Sequence, residues 1–542
     1  MNFDQKLKEK LKQNIEFWDE EIDDINRNEI IDRAYKVDKD LIGILIDDKE
    51  IRETFFDKIK EYWVFNINKF VDYIENIKVL SNSYTKFKNI VGLNVNGKYL
   101  NERGEVSLVW PFKDCVLEGG MTKEDQKRNE IFFNEILAKD EIDRLFDAKV
   151  LTNFKKYTAK GEEKVKDFNR DKKGTIKDNL IIKGNNLLAL HSLKKEFAGK
   201  VKLIYIDVPF NTELDSFSYN DNFTHSTWLT FMKNRLEVAK ELLEDNGTIF
   251  VHLDWHESHY CKLLLDQIFG RNKLINEIIW CYAGPGSPLM KQFNRKHDTI
   301  FWYRKGEEWT FNKDEIRVPY KDPNQSPRKA FGEDWTDEDV KEMRERGKVP
   351  EDWWEFSVAA RLRVDGKKRT GYLTEKPLKL MKRIVKSASN EGDIILDFFA
   401  GAGTTGYVAN ELKRQFILVE QLEDTQKKLK KRFEETNYIY CELLKYNEDA
   451  IDKIQDAKDT KTLLKIWDEM CEHYFLNYDV KIKKFNENKK DFEKLTLKQQ
   501  KDTLVEMLNK NQLYVNLSEI EDSQFKVSKE DKELNKKFYG GK

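Results

Sequence analysis

The stretch Leu203-Ile204-Tyr205-Ile206-Asp207-Val208-Pro209-Phe210-Asn211 decides how the chain folds. An apolar, β-branched run stops at an aspartate, and a proline and an aromatic ring follow directly. Short apolar runs of this kind read as strands buried on both faces, as in parallel sheets. In open α/β sheets, ligands gather just beyond the carboxyl ends of such strands. One strand end therefore carries a carboxylate, a stiffened backbone and a flat ring, a combination suited to a flat ligand bearing an amine.

Strands and helices alternate on both sides of this stretch. Upstream, Leu180-Ile181-Ile182 reads as a strand, followed by Gly184-Asn185-Asn186 and a helical run over Leu187–Phe197. Downstream, Trp228, Met232, Leu236, Ala239 and Leu243 share one helical face within Thr224–Glu244, with Asn246-Gly247 as its stop. Ile249-Phe250-Val251 and Thr299-Ile300-Phe301-Trp302 read as further strands, and Tyr260–Phe269 as a helix. The pattern resumes with a helix over Leu378–Ser387, the strand Ile394-Ile395-Leu396, a helix over Thr404–Lys413 and a strand over Phe416–Val419. Such alternation predicts an α/β fold around a mostly parallel, doubly wound sheet.

The flanks differ. Residues 1–160 read as a mainly helical interaction or scaffold region, with a hairpin signal at Asn96-Gly97. The lysine-rich Lys155–Gly174 reads as a solvated linker. The core spans 175–305 and 371–425. Between them, 306–370 reads as an inserted target-recognition region. It carries Trp309, Trp335, Trp353 and Trp354, and basic Arg361, Arg363, Lys367, Lys368 and Arg369 near its end. Basic residues interleaved with aromatics suit nucleic-acid contact. Residues 426–542 read as a charged helical region for dimer or partner contacts.

Of the 542 residues, 36% are charged and the net charge is −2, so any affinity for nucleic acid must be local. No apolar run approaches bilayer length, and Met1–Lys12 is too charged for a signal peptide. The five cysteines follow no pairing or metal-site spacing, which predicts a reducing, cytoplasmic compartment. His252, Asp254, His256 and His259 invite a zinc reading, but polar residues at a strand end beside a cleft explain them, and no metal is expected.

The second informative stretch is Asp397-Phe398-Phe399-Ala400-Gly401-Ala402-Gly403-Thr404-Thr405-Gly406. It follows a strand, opens a helix and holds a G-x-G-x-x-G pattern. Glu420 ends the next strand, where an acid grips ribose hydroxyls in nucleoside-binding sheets. The pattern alone fits a nicotinamide cofactor too. Asp397 decides between the two readings, because a carboxylate there repels a pyrophosphate but suits an ammonium or sulfonium group. S-adenosylmethionine has both a ribose and a cationic methionine end, so the loop favours a methyl donor.

With these residues quoted, the chain resembles the DNA amino-methyltransferases. Asp207-Val208-Pro209-Phe210 is similar to their D-P-P-Y/F catalytic motif, Asp397–Gly403 to their D-x-F-x-G-x-G cofactor motif, and Thr374-Glu375-Lys376-Pro377 to the T-x-K-P segment before it. The catalytic motif precedes the cofactor motif, the order of the β group. The resemblance is closest to modification subunits of type III restriction systems, over roughly residues 105–542. Trp110-Pro111-Phe112-Lys113-Asp114 through Tyr157, Phe217-Ser218-Tyr219-Asn220-Asp221, Arg295-Lys296-His297-Asp298-Thr299, and the tail from Glu530-Asp531-Lys532 to Phe538-Tyr539 add to it.

This resemblance implies a Rossmann-like methyltransferase fold that methylates adenine N6. Asp207 and the Val208 carbonyl would hold the amine, and Phe210, following Pro209, would stack on a flipped base. Asp397, Phe399, Gly401, Gly403, Thr404, Glu420, Thr374 and Lys376 would hold S-adenosylmethionine, with Asn185 and Asn186 at its adenine end. Double-stranded DNA, a second copy of the chain and a separate helicase–nuclease restriction subunit are the implied partners. The aspartate favours adenine N6; family members acting on cytosine N4 more often carry serine there. Val208 departs from the family's proline. It keeps the carbonyl but gives up the fixed φ and the constraint on Asp207. A less rigid active site follows, or, as the alternative, a catalytically weak DNA-binding or assembly subunit.

Overall fold

The computed structural model describes residues 3–19, 24–76, 92–93, 108–118, 131–212, 223–284, 291–320, 336–358, 375–477, 480–509 and 512–540. Two compact units result, Met1–Glu118 with Ile131–Ile142, and Gly119–Glu130 with Asp143–Lys542.

In the first unit, helices Phe3–Leu11, Arg27–Tyr35, Lys39–Ile46, Lys49–Phe55 and Ile67–Asn76 surround a core that includes Phe17, Phe55, Phe70 and Ile74. Asp38 and Asp48 cap two of these helices by accepting backbone N–H groups of their first turns. Antiparallel hairpins pair Phe56–Ile59 with Tyr62–Phe65 and Cys115–Glu118 with Ile131–Asn134. Asn96-Gly97 lies outside the described residues.

In the second unit, eleven described strands form one sheet. They are β1 (Leu151–Thr158), β2 (Gly161–Lys164), β3 (Leu180–Lys183), β4 (Val201–Asp207), β5 (Leu243–Leu253), β6 (Leu274–Cys281), β7 (His297–Arg304), β8 (Trp353–Glu355), β9 (Ile394–Asp397), β10 (Gln415–Glu420) and β11 (Tyr438–Leu443). The spatial order is β2-β1-β11-β3-β10-β9-β4-β5-β7-β6-β8. From β11 to β5 all neighbours run parallel, and antiparallel pairs flank that block on both sides. The expected doubly wound, mostly parallel sheet is present.

Every residue from Val201 to Ile206 is buried, as a strand covered on both faces requires. Helices α1 (Asn186–Phe197), α2 (His225–Leu242) and α3 (Ser258–Phe269) pack in sequence, and α4 (Leu378–Ala388) packs on α5 (Thr404–Glu411). Leu380, Met381, Ile384 and Val385 of α4 are fully buried against Leu203, Tyr205 and Ile395. Each contributes about 1.5–3 kcal/mol of burial.

The sheet departs from the sequence reading in four places. Lys155–Gly174 is no linker, because β1 and β2 form a hairpin at the sheet edge. The edge strand is β2, whose Glu162, Glu163 and Lys164 suit that place because charge discourages further pairing. Aromatics carry the packing: Tyr157 stacks on Tyr438 at 5.0 Å and Phe154 meets Phe168 at 6.0 Å. Past residue 426 the chain is not only helical, since β11 inserts between β1 and β3. Asn246-Gly247 does not end a helix; α2 stops at Leu242, Leu243 is already extended, and both residues lie within β5. Finally, the inserted region 306–370 contributes β8, which pairs parallel with β6 at the far edge.

Candidate active site

Three neighbouring parallel strands end in acids on one edge of the sheet. β4 pairs with β9 (Ile204 opposite Leu396) and β9 with β10 (Asp397 opposite Leu418), so Asp207, Asp397 and Glu420 stand on adjacent strands about 4.8 Å apart. A cleft between them is lined by Tyr205, Asp207, Lys376, Asp397, Phe399 and Gly401, among others.

Asp397 is buried and accepts hydrogen bonds from Phe399 N (3.0 Å) and Thr405 Oγ1 (2.6 Å). Burial nevertheless pushes its carboxyl up to about 7, and the charges of Asp207 and Glu420 add to the rise. Glu420 accepts from Gly401 N and Leu422 N, each at 2.9 Å. The glycines divide their work. The Gly401 amide is spent on Glu420 at the cleft wall. Gly403 (φ 72°) serves packing, because a Cβ there would lie 2.5 Å from Leu429 Cδ2. Gly406 is equally confined, 2.7 Å from Leu418 Cδ1.

Lys376 Nζ donates to both oxygens of Asp207, at 2.7 and 2.6 Å, with the two side chains only 10% and 21% exposed. Beside it, Glu375 accepts from Arg432 Nη2, while Arg432 Nη1 donates to Thr404 Oγ1 at 2.9 Å. Arg432 thus ties the segment carrying Lys376 to the first turn of α5. Its side chain is 2% exposed, although it ends the charged helix Glu423–Arg432. The signal that could have found it is the buried stripe Thr425, Leu429, Phe433 on that helix.

The ring side of the site rests on a polar chain. Phe210 lies 6.0 Å from the His252 ring and 5.2 Å from Lys376 Nζ. His252 is fully buried; its Nδ1 pairs with Tyr205 OH at 2.7 Å and its Nε2 with Asp298 Oδ2 at 3.1 Å. Tyr282 OH donates to Asp298 Oδ1 at 2.9 Å. Burial raises the Asp298 carboxyl, but the bond and charge of His252, with help from Lys376 and Tyr282, outweigh it and leave it below the usual carboxylate range. Trp228 Nε1 donates to Pro209 O at 2.9 Å, and Val208 is buried. Asn211 takes a left-handed backbone (φ 59°) and bonds both the N–H and the C=O of Phe223.

Asn185 and Asn186, expected at the adenine end of the cofactor, make hydrogen bonds within the fold. Asn185 caps α1, accepting from Leu187 N and Leu188 N. Asn186 links Arg235 Nε (2.7 Å) to Phe398 O (2.9 Å), bracing the glycine loop from behind. The histidine group does not converge on a metal: His256 pairs with Asp254, and His252 is taken by Tyr205 and Asp298. Among the described residues no group of three or more His, Cys, Asp or Glu could hold a metal ion. Thr374, Arg361, Arg363, Lys367, Lys368, Arg369 and the stretch Phe217–Asp221 lie outside the described residues.

Comparison with known proteins agrees with this geometry. A family model described as DNA methylase (N6_N4_Mtase) matches residues 201–431, and one described as type III restriction/modification enzyme methylation subunit matches residues 38–93. The chain is 30% identical over 711 positions to the "Probable type III restriction-modification enzyme HindVI Mod subunit" of Haemophilus influenzae, covering 95% of both chains. It is 33% identical to the type III restriction-modification enzyme EcoP15I Mod subunit of Escherichia coli, over 30% of this chain and 29% of that one. A solved structure titled as an M1.HpyAVI–SAM complex aligns over 47% of this chain and 98% of its own, at 20% identity and a TM-score of 0.32. The family model and the relative matched along 95% of both chains define an S-adenosylmethionine-dependent DNA methyltransferase. The chain belongs to the type III restriction-modification Mod subunits.

Proposed function

We propose that the chain methylates N6 of an adenine swung out of duplex DNA, with Asp207 and the Val208 carbonyl accepting the two amine N–H groups and Phe210 stacking on the base. The observation that carries this reading is the pairing of Asp207 and Asp397 at the ends of adjacent parallel strands, across one cleft. An exocyclic amine is a poor nucleophile because its lone pair is delocalised into the ring. Two acceptors in fixed positions localise that lone pair, so positioning and electrostatics supply most of the catalysis. S-adenosylmethionine supplies an electrophilic methyl group when bound. An amine that gained this methyl would have a proton to shed, and Asp207, accepting one of its N–H groups, would receive it.

Three clustered carboxylates, one held up to about 7 by burial and its neighbours, fit a cationic ligand, which relieves their repulsion. Asp397 would face the charged methionine end, Glu420 the ribose, and Phe399, Gly401 and Thr404 the cleft wall. Lys376 is assigned to aiming Asp207. Residues 306–370 would read the DNA sequence, and the flanking regions would support a homodimer and a helicase–nuclease partner in the cytoplasm.

Labelled-methyl transfer followed by single-molecule sequencing of DNA from cells expressing the chain tests the reading. N6-methyladenine at one motif, lost in Asp207→Ala, is the expected result. N4-methylcytosine would refute the target atom. Specific binding without transfer would favour the assembly alternative that Val208 raises.

A further inference from the structure

An exposed aromatic ring stands on the same edge of the sheet as the catalytic carboxylate. β5 sets His252 opposite Asp207 and Leu253 opposite Thr299, so the segment entering β7 is level with the end of β4. That segment is Lys291-Gln292-Phe293-Asn294-Arg295-Lys296. Phe293 is 97% exposed, more than any other large apolar side chain described. Leaving such a ring in water forgoes about 1.5–3 kcal/mol of burial that contact with a partner would recover.

The surroundings say which partner. Lys291, Arg295 and Lys296 lie within the segment and no acid does, in a chain whose net charge is −2. The Arg295 guanidinium lies over the Trp255 ring, 3.8 Å from its centroid, and the His256 ring meets the same indole tilted, at 3.9 Å. A stacked guanidinium keeps its N–H edges for phosphate oxygens. Lys296 O accepts from Tyr282 N at 2.9 Å, anchoring the segment beside the Tyr282–Asp298–His252 chain under Phe210. Cations around one bare ring match a polyanion with stacked bases.

We propose that Phe293 is a wedge that enters the duplex where the target adenine leaves it, with Lys291, Arg295 and Lys296 on the flanking phosphates. The proposal rests on the base-extrusion reading above. Apolar wedges at unstacked steps are a known way for proteins to hold distorted DNA. A phenylalanine ring is about as thick as the roughly 3.4 Å base step it would fill. Filling the gap opposes re-entry of the base, whose extrusion otherwise costs unstacking and unpairing.

The test uses two duplexes carrying the motif found methylated by sequencing, the target adenine facing thymine in one and an abasic site in the other. Phe293→Ala should slow methylation of the paired duplex roughly tenfold or more, since that variant must pay for unpairing unaided. It should leave the abasic duplex within about twofold of the parent, and Phe293→Trp should restore the paired rate. Equal losses on both duplexes, or none on either, overturn the wedge. So does altered self-association of the variant in sedimentation, which marks Phe293 as a protein contact. A parent that methylates neither duplex refutes the underlying reading of the site instead.

Discussion

Lys376 holds both carboxylate oxygens of Asp207, at 2.7 and 2.6 Å, across the cleft that Asp397 closes from behind. The T-x-K-P resemblance assigns this lysine to the cofactor, yet its ammonium reaches the carboxylate proposed to accept the base amine. A charged hydrogen bond of this kind is worth about 1.5–3 kcal/mol. Lys376→Met should therefore lower kcat roughly 10- to 100-fold with little change in KM for S-adenosylmethionine, and Lys376→Arg should recover part of it. A rise in the cofactor KM alone would return the lysine to the cofactor.

With Asp397 proposed to face the cofactor's charged end, cofactor binding should depend on pH. Its carboxyl sits at about 7, so near neutrality the ligand-free site is partly protonated. A cationic ligand binds the ionised form and must displace that proton. Affinity should fall by up to about tenfold per pH unit below 7 and flatten above it. The stability of the ligand-free chain moves oppositely. The folded state holds a proton that the unfolded state loses above the ordinary carboxylate value of 3.8, so stability falls as pH rises from there towards 7. Calorimetric titration across this range, repeated with Asp397→Asn, reads the effect. The variant should bind weakly and without the slope.

Gly403 separates packing from ligand contact. A Cβ at this left-handed position meets Leu429 and Phe433 at 2.5 and 2.9 Å, on the side away from the cleft. Gly403→Ala should destabilise the protein by about 1–3 kcal/mol, as overpacking does, with cofactor affinity of the folded fraction nearly kept. Thermal melting and a binding titration on the same sample check both halves.

The sequence carried the strand that matters because Leu203–Ile206 is apolar on both faces and ends in a functional residue. β9 and β10 were legible for the same reason. β1 and β11 were not: the lysines of β1 and the charged helix before β11 mask the aromatic pair Tyr157 and Tyr438, whose contact spans distant parts of the chain. Asp207, Asp397 and Glu420 could be picked out as strand ends without knowing the fold. Arg432 and the Tyr205–His252–Asp298 chain could not, because each depends on which strands become neighbours.

Val208 is where rigidity and chemistry meet. A proline there fixes φ at 208 and restricts Asp207 before it. Here the backbone is instead held one residue later, by Trp228 Nε1 on Pro209 O at 2.9 Å, with Trp228 fully buried. If that bond substitutes for the missing ring, Val208→Pro should improve base affinity or rate by no more than about fivefold, within the 0.4–1 kcal/mol of a compatible proline. Trp228→Phe should cost about 1 kcal/mol in kcat/KM in the parent, the worth of one hydrogen bond, and less in the Val208→Pro background. A double-mutant cycle on methyl-transfer rates measures the coupling. Strictly additive effects would mean that Trp228 does not aim Asp207, and that the aim comes from Lys376 alone.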